Sequence, residues 1–217
     1  MIRFVEKEEE QRRLLRLCEE TAFGCKMGAL VRSYGFDKGF ACFWLEEGCS
    51  CAYCLVDGLL ILSGQPGDQA EAQEFLQAVG PDALIASAAA ARSLGVGVHS
   101  QGEVLQKSLP AGDAPPFPAE EAPIREIYGL LEGTGLAGEF EPFYLDLSLK
   151  LRRGTALAMY QRRSRELAGC AVVSSISGRG AVLSALAVGE KHRRQGIGSG
   201  LVAQVESLLP GKTLYIF

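Results

Sequence analysis

The sequence predicts an α+β protein of two similar domains, each with a mostly antiparallel central sheet flanked by helices. Its 217 residues are 47% hydrophobic and 22% charged, an ordinary globular composition with room for two domains of about 100 residues each. Five of its nine prolines fall within residues 108–123, where they disfavour both helix and sheet interior. The same order of helical and strand-like patterns appears on both sides of this stretch.

Before the prolines, apolar residues at helical spacing alternate with short strand-like runs. Leu14, Leu15 and Cys18 mark one helical face, and Asp57-Gly58 is a typical two-residue hairpin turn. In chain order we predict a strand at 2–5, helices at 8–18 and 27–34, strands at 39–45, 51–56 and 59–63, a helix at 68–79, a strand at 83–85, a helix at 88–94 and an extended region at 96–106.

The second half repeats this order. Leu201, Val205 and Leu208 form the apolar stripe of a helix near its end. The predicted elements are helices at 124–131 and 141–151, strands at 156–160, 167–174 and 181–188, a helix at 198–209 and a strand at 214–216. We therefore predict a first domain at 1–108, an extended, exposed proline-rich linker at 109–123 and a second, related domain at 124–217.

Charge and hydropathy exclude several functions. The net charge of −4 is spread along the chain, whereas nucleic-acid binding depends on clustered cations. No apolar run approaches the roughly 20 residues of a membrane-spanning helix, and the first residues lack the apolar core of a signal peptide. We expect a cytoplasmic protein that binds neither nucleic acid nor membrane.

The seven cysteines fit reduced thiols better than a disulfide framework. Cys49, Cys51 and Cys54 lie close together, but a structural zinc site needs a fourth ligand. We interpret them as small buried residues and expect no metal, with a zinc site as the weaker alternative.

The stretch that carries chemistry is a buried strand, a basic glycine-rich turn and an amphipathic helix. Gly196, Gly198 and Gly200 allow a ligand to approach the backbone closely at a helix N-terminus. Lys191 and the Arg193-Arg194 pair add positive charge. We predict an anion site suited to phosphate or pyrophosphate. No Lys follows Gly200 as in a P-loop, and the spacing differs from the dinucleotide fingerprint, so a nucleotide-binding protein is the weaker alternative.

Residues 193–198, Arg-Arg-Gln-Gly-Ile-Gly, resemble the acetyl-CoA signature of the GNAT (GCN5-related) N-acetyltransferase superfamily, Gln/Arg-x-x-Gly-x-Gly/Ala. The resemblance covers roughly the last 95 residues. It implies that backbone N–H groups of the turn hold the coenzyme A pyrophosphate, that two arginines supplement them and that the preceding strand pairs with the pantetheine arm. The cofactor-binding residues so implied are Leu186, Ala187, Val188, Arg193, Arg194, Gln195, Gly196, Ile197, Gly198 and Ser199.

The resemblance also implies a reaction: transfer of acetyl from acetyl-CoA to an amine of a small molecule or peptide by direct attack. A carboxylate or an ordered water would remove the amine proton, and a backbone N–H would polarise the thioester carbonyl. Glu139, Tyr144 and Asp146, at the second helix of this half, are the candidate catalytic or acceptor-binding residues. A solvated helix face is the alternative interpretation.

The sequence departs from the family after its last predicted strand, where the family continues with a helix and two strands. We therefore expect an unpaired edge on strand 214–216, which is a liability for aggregation or swapping. A homodimer is a separate expectation. A non-catalytic acyl-CoA-binding or sensor module of the same fold remains the alternative function. In the first half, residues 64–68 contain no Arg, and Asp68 is a natural helix N-cap. We interpret that half as a degenerate GNAT-like domain that does not bind coenzyme A.

Overall fold

The computed structural model describes residues 1–48, 50–113, 115 and 121–217. It divides into two compact units, an N-terminal unit of Met1–Glu103 and a C-terminal unit of Val104–Phe217. Each unit contains a five-stranded sheet flanked by helices, which confirms the predicted fold class. None of the helices in the described ranges is both long and apolar enough to cross a membrane.

The N-terminal unit has a sheet of order β1-β2-β3-β4-β5, antiparallel except for the last pair. Its strands are β1 (Ile2–Phe4), β2 (Ala41–Glu46), β3 (Cys51–Val56), β4 (Leu59–Gly64) and β5 (Ala83–Ile85). Its helices are α1 (Glu8–Leu17), α2 (Ala22–Tyr34), α3 (Gln69–Val79) and α4 (Ala88–Leu94).

Strand alternation gives this first sheet two apolar faces. Leu14 and Met27, from α1 and α2, pack with Phe43 of β2 on one face. Tyr53 and Leu62 pack on the other face with residues of α3 and α4. The unit therefore has a helical layer on each side of its sheet.

The C-terminal unit has a sheet of order β6-β10-β9-β8-β7, in which only β9 and β10 are parallel. Its strands are β6 (Leu105–Ser108), β7 (Leu157–Arg163), β8 (Glu166–Ile176), β9 (Gly180–Val188) and β10 (Thr213–Ile216). Its helices are α5 (Ile124–Leu131), α6 (Phe140–Arg153) and α7 (Ile197–Leu208).

The faces of this second sheet are divided between α7 and the α5–α6 pair. Val173 and Leu183 contact the apolar stripe of α7. Cys170, Ala185 and Ala187 point the other way, into the cluster that contains α5 and α6. The helices and strands predicted from apolar periodicity are all present, with boundaries shifted by a few residues; α2 begins five residues before its predicted start.

The predicted unpaired edge of the last strand is wrong. β6 pairs antiparallel with β10 along its whole length, from Thr213 opposite Ser108 to Ile216 opposite Leu105. The covering strand comes from residues that we assigned to the first domain, which we ended at residue 108. The division of the structure falls earlier, between Glu103 and Val104.

The start of the proline-rich stretch is also less exposed than predicted. Leu109 is buried in the α7-side core and donates its N–H to Lys212 O at 2.8 Å. Pro110 O accepts a hydrogen bond from Gly211 N at 2.9 Å. Residues 111–113 and 115 are exposed as expected, while residues 114 and 116–120 lie outside the described part of the chain.

Proline substitutions in β6 test whether this strand stabilises the C-terminal unit. Since Leu109 N–H faces β10, strand alternation turns the N–H of Lys107 toward β10 and that of Gln106 away. Lys107→Pro should lower the free energy of unfolding by about 1 to 3 kcal/mol, since it leaves a strand carbonyl without its donor. Urea unfolding of the full chain measures this loss.

Two controls isolate the backbone effect. Gln106→Pro removes an outward N–H and should cost clearly less. Lys107→Ala keeps the N–H and removes only the exposed ion pair to Glu206, at 2.7 Å, worth less than about 1 kcal/mol. Equal losses for the two proline variants would contradict the importance of the β6–β10 pairing.

Candidate active site

The parallel strands β9 and β10 separate halfway along β9. β10 pairs with β9 only over residues 180–183. The β8–β9 register places Val173 opposite Leu183 and Val172 opposite Ala185, so Ser184 is the extra residue of a β-bulge. Ser184 Oγ donates to Val172 O at 3.2 Å across that bulge. The strands therefore diverge at the residue where β9 is distorted.

Beyond the bulge, residues 185–188 pair only with β8 in the described ladders. Their other edge carries main-chain N–H and C=O groups without a strand partner, which is a template for pairing with an extended amide-containing ligand. Leu186 is 39% exposed although it lies near the middle of the sheet. This free edge contains the predicted Leu186, Ala187 and Val188.

The turn after β9 has a backbone that leaves a helix N-terminus open. A short 3₁₀ turn at Glu190–His192 follows Gly189. Arg194 and Gly196 then have left-handed backbones, with φ of 61° and 77°. Gly196 is the N-cap of α7, and no side chain caps this end of the helix. The first N–H groups of α7 are thus without a side-chain acceptor, as an anion site requires.

A glycine in β8 lets the start of α7 lie close to the sheet. A Cβ atom added at Gly169 would lie 2.9 Å from Ile197 Cγ2, 3.1 Å from Ala187 O and 3.2 Å from Leu201 Cδ1. Gly169 was not among the site residues predicted from the sequence. A glycine inside a predicted strand was the available signal, since it often marks a close approach of backbone or helix.

The turn is positively charged. Lys191, Arg193 and Arg194 are exposed. Arg193 Nε donates to Val188 O at 3.2 Å, and its guanidinium lies 3.9 Å from Glu190. Within the ranges that the structure describes, Lys191 and Arg194 have no acidic partner. Two uncompensated cations therefore stand beside the open N-terminus of α7, where a helix dipole already favours negative charge.

The turn-proximal residues of the predicted cofactor set are brought together, since Gln195, Gly196, Ile197, Gly198 and Ser199 form the cap and first turn of α7. The Gln195 side chain is used locally, because Nε2 donates to Lys191 O at 3.2 Å. Only the backbone of residue 195 is then available for a ligand in this arrangement.

The predicted catalytic candidates lie on α6, on the face of the sheet opposite α7. Glu139 is the exposed N-cap residue of that helix. The ring of Tyr144 lies 5.5 Å from the Arg125 guanidinium. Asp146 Oδ2 forms an ion pair with Nζ of the buried Lys150 at 2.8 Å. Asp146 and Tyr144 thus have partners within the helical layer.

The corresponding helix start in the N-terminal unit, that of α3, is capped by a side chain. Asp68 caps α3, with Oδ1 accepting the N–H of Glu71 at 3.0 Å, as its sequence position predicted. Cys51 and Cys54 are buried in this unit, and burial raises the pKa of both thiols to about 12. Cys49 lies outside the described residues. Among those described, no group of three His, Cys, Asp or Glu side chains has the arrangement of a metal site.

Comparison with known protein families gives a match for the C-terminal unit. A family model described as "Acetyltransferase (GNAT) family" matches residues 124–216. Residues 124–216 form a GNAT domain. Its β9–α7 turn is the segment in which the sequence resembled the acetyl-CoA signature. No curated protein matches the chain significantly.

Solved structures extend the likeness in fold to the whole chain. A tandem GNAT protein from the clavulanic acid biosynthesis pathway is similar over 100% of this chain and 89% of its own, with 17% identity and a TM-score of 0.55. A GCN5-related N-acetyltransferase from Kribbella flavida is similar over 77% of this chain and 76% of its own, with 17% identity and a TM-score of 0.50. At these identities the fold alone is shared: two GNAT-like units in tandem.

Alanine substitutions at two glycines of the GNAT turn should have opposite effects on stability. Gly196→Ala forces an L side chain into a left-handed backbone and should cost about 1 kcal/mol of unfolding free energy. Gly200→Ala lies inside α7 in open space and should add roughly 0.5 to 1 kcal/mol through helix propensity. Urea unfolding of both variants measures the sign of each change in unfolding free energy. A Gly196→Ala variant more stable than the unmodified chain would contradict the left-handed cap.

Proposed function

We propose that the C-terminal unit binds acetyl-CoA and transfers its acetyl group to an amine of a small molecule or peptide. The observation that carries this proposal is the junction of an uncapped, cation-flanked helix N-terminus with the free edge of β9. A phosphate-bearing ligand with amide groups in an extended arm complements both features at once. Membership of residues 124–216 in the GNAT family supports the same ligand.

In this proposal the turn holds the pyrophosphate through backbone N–H groups from Gln195 to Ser199. Arg194 and Lys191 supply the balancing charge, since neither is engaged by an acid in the described residues. Arg193 contributes through its Nη groups, because its Nε is bonded to Val188 O and its backbone N–H to Glu190 O. The main chain of Leu186 and Val188 pairs with the amides of the pantetheine arm.

In this proposal the reacting group lies where β9 and β10 separate, beside the β-bulge at Ser184. The bound cosubstrate supplies an acetyl thioester. The amine nitrogen attacks the thioester carbonyl carbon, the carbon–sulfur bond breaks, and the thiol leaves with a proton. Backbone N–H groups of the free β9 edge stabilise the developing oxyanion, and the amine must be neutral to attack.

A non-catalytic acyl-CoA-binding module is the second candidate function, and one observation favours it. Tyr144 and Asp146 are engaged with Arg125 and Lys150, so proton transfer is left to Glu139 or to water. Turnover with a panel of amines distinguishes the two functions. Release of free thiol from acetyl-CoA that depends on an amine supports the enzyme, and tight binding without turnover supports the module.

Calorimetric titration of Arg194→Ala with acetyl-CoA tests the binding site. Loss of a charge-assisted contact to phosphate should raise Kd about tenfold at low salt, and the difference should shrink as salt screens it. Arg153→Ala, at the exposed end of α6, is the matched control and should leave Kd unchanged. Equal effects of both variants would contradict the site, as would preferential binding of ATP or NAD over acetyl-CoA.

A further inference from the structure

The N-terminal unit repeats the strand–turn–helix geometry of the acetyl-CoA site, with its helix start closed by side chains. β4 and β5 are parallel, and they pair only over residues 59–61 of β4. β4 then continues to Gly64, and a turn at residues 65–68 leads into α3. The order of strand, turn, helix and parallel strand is the same in β4, α3 and β5 as in β9, α7 and β10.

The carboxylate of Glu46 lies at the start of α3. Gly67 N–H donates to Glu46 Oε1 at 2.9 Å and lies 3.0 Å from Oε2, and Asp68 N–H donates to Oε1 at 3.1 Å. Ser50 Oγ donates to Oε2 at 2.7 Å. Glu46 is only 3% exposed, so its charge is held by hydrogen bonds rather than by water.

The turn is built around this carboxylate. A Cβ atom at Gly67 would lie 3.3 Å from Glu46 Oε1, so a side chain there would push the carboxylate away by a few tenths of an ångström. Gly64 has φ of +104°, and a Cβ atom there would overlap Ser50 O at 2.1 Å. With Asp68 bonded to the N–H of Glu71, three N–H groups at this helix start have carboxylate acceptors.

The side chains that follow the paired part of β4 are buried as well. Leu62 and Ser63, which follow the paired part of β4, are 0% and 1% exposed. Leu62 packs with Ala90 and Leu94 of α4. On β9, by contrast, Leu186 is 39% exposed beyond the paired part of its strand. In the first unit, therefore, the anion position is filled and the side chains beside it are buried.

We infer that Glu46 is the resident anion of a GNAT-type phosphate turn and that removing it converts the turn into a binding site for inorganic phosphate. The ligand class is a small oxyanion such as phosphate, because two backbone N–H groups and a hydroxyl donate to two oxygens of one anionic group. The inference concerns the N-terminal unit and does not depend on acetyl-CoA binding by the C-terminal unit.

Thermal unfolding of the full chain tests the inference by anion rescue. Glu46→Ala should lower the midpoint by about 4 to 8 °C, because two N–H groups lose the buried carboxylate that accepts from them. Inorganic phosphate at tens of millimolar should recover at least half of that loss. The matched control Glu47→Ala removes a neighbouring exposed carboxylate and should show a small loss and only the general effect of the salt.

Three results would overturn the inference: equal losses for Glu46→Ala and Glu47→Ala, equal phosphate shifts in both variants, or rescue by chloride as strong as by phosphate. If Glu46→Ala does not fold, amide hydrogen exchange on the unmodified chain decides. Slow exchange at Gly67 and Asp68 without added anion supports a resident carboxylate. Exchange at the rate of an open turn contradicts it.

Discussion

The N–H groups at the start of a helix have no partner within that helix, and both units depend on how this demand is met after a central strand. In the N-terminal unit, Glu46 and Asp68 supply carboxylates to the start of α3. In the C-terminal unit, Gly196 opens α7 with no capping side chain. A charge-assisted bond to such a group contributes about 1.5 to 3 kcal/mol. Three N–H groups at the start of α3 therefore have carboxylate acceptors in the protein, whereas the start of α7 has no side-chain acceptor.

The remaining features of the GNAT site follow from keeping that helix start open. Left-handed backbones at Arg194 and Gly196 turn the chain from β9 into α7. Gly169 lets α7 lie close to β8, and the bulge at Ser184 marks where β9 leaves β10. These three backbone features act together, because an extended ligand could contact the helix start only where the neighbouring strand edge is free.

Local patterns predicted the fold well, since apolar periodicity and turn residues determine where helices and strands form. The Arg193–Gly198 signature and the Asp68 cap were also readable, because each lies within a few residues of the helix start that it serves. Glu46 was not, since it lies more than twenty residues before the turn that it completes and only the fold brings them together. The pairing of β6 with β10 was not predicted for a similar reason. The residues of β6 are all exposed, and about a hundred residues of chain separate the two strands.

Amide hydrogen exchange of the full chain with and without acetyl-CoA distinguishes the open start of α7 from the closed start of α3, because both turns are measured in one experiment. We expect acetyl-CoA to slow exchange over residues 184–199 and to leave residues 64–71 unchanged. Protection at 64–71 by acetyl-CoA would contradict the closed first turn. Unchanged exchange at 184–199 under saturating acetyl-CoA would contradict the open second one.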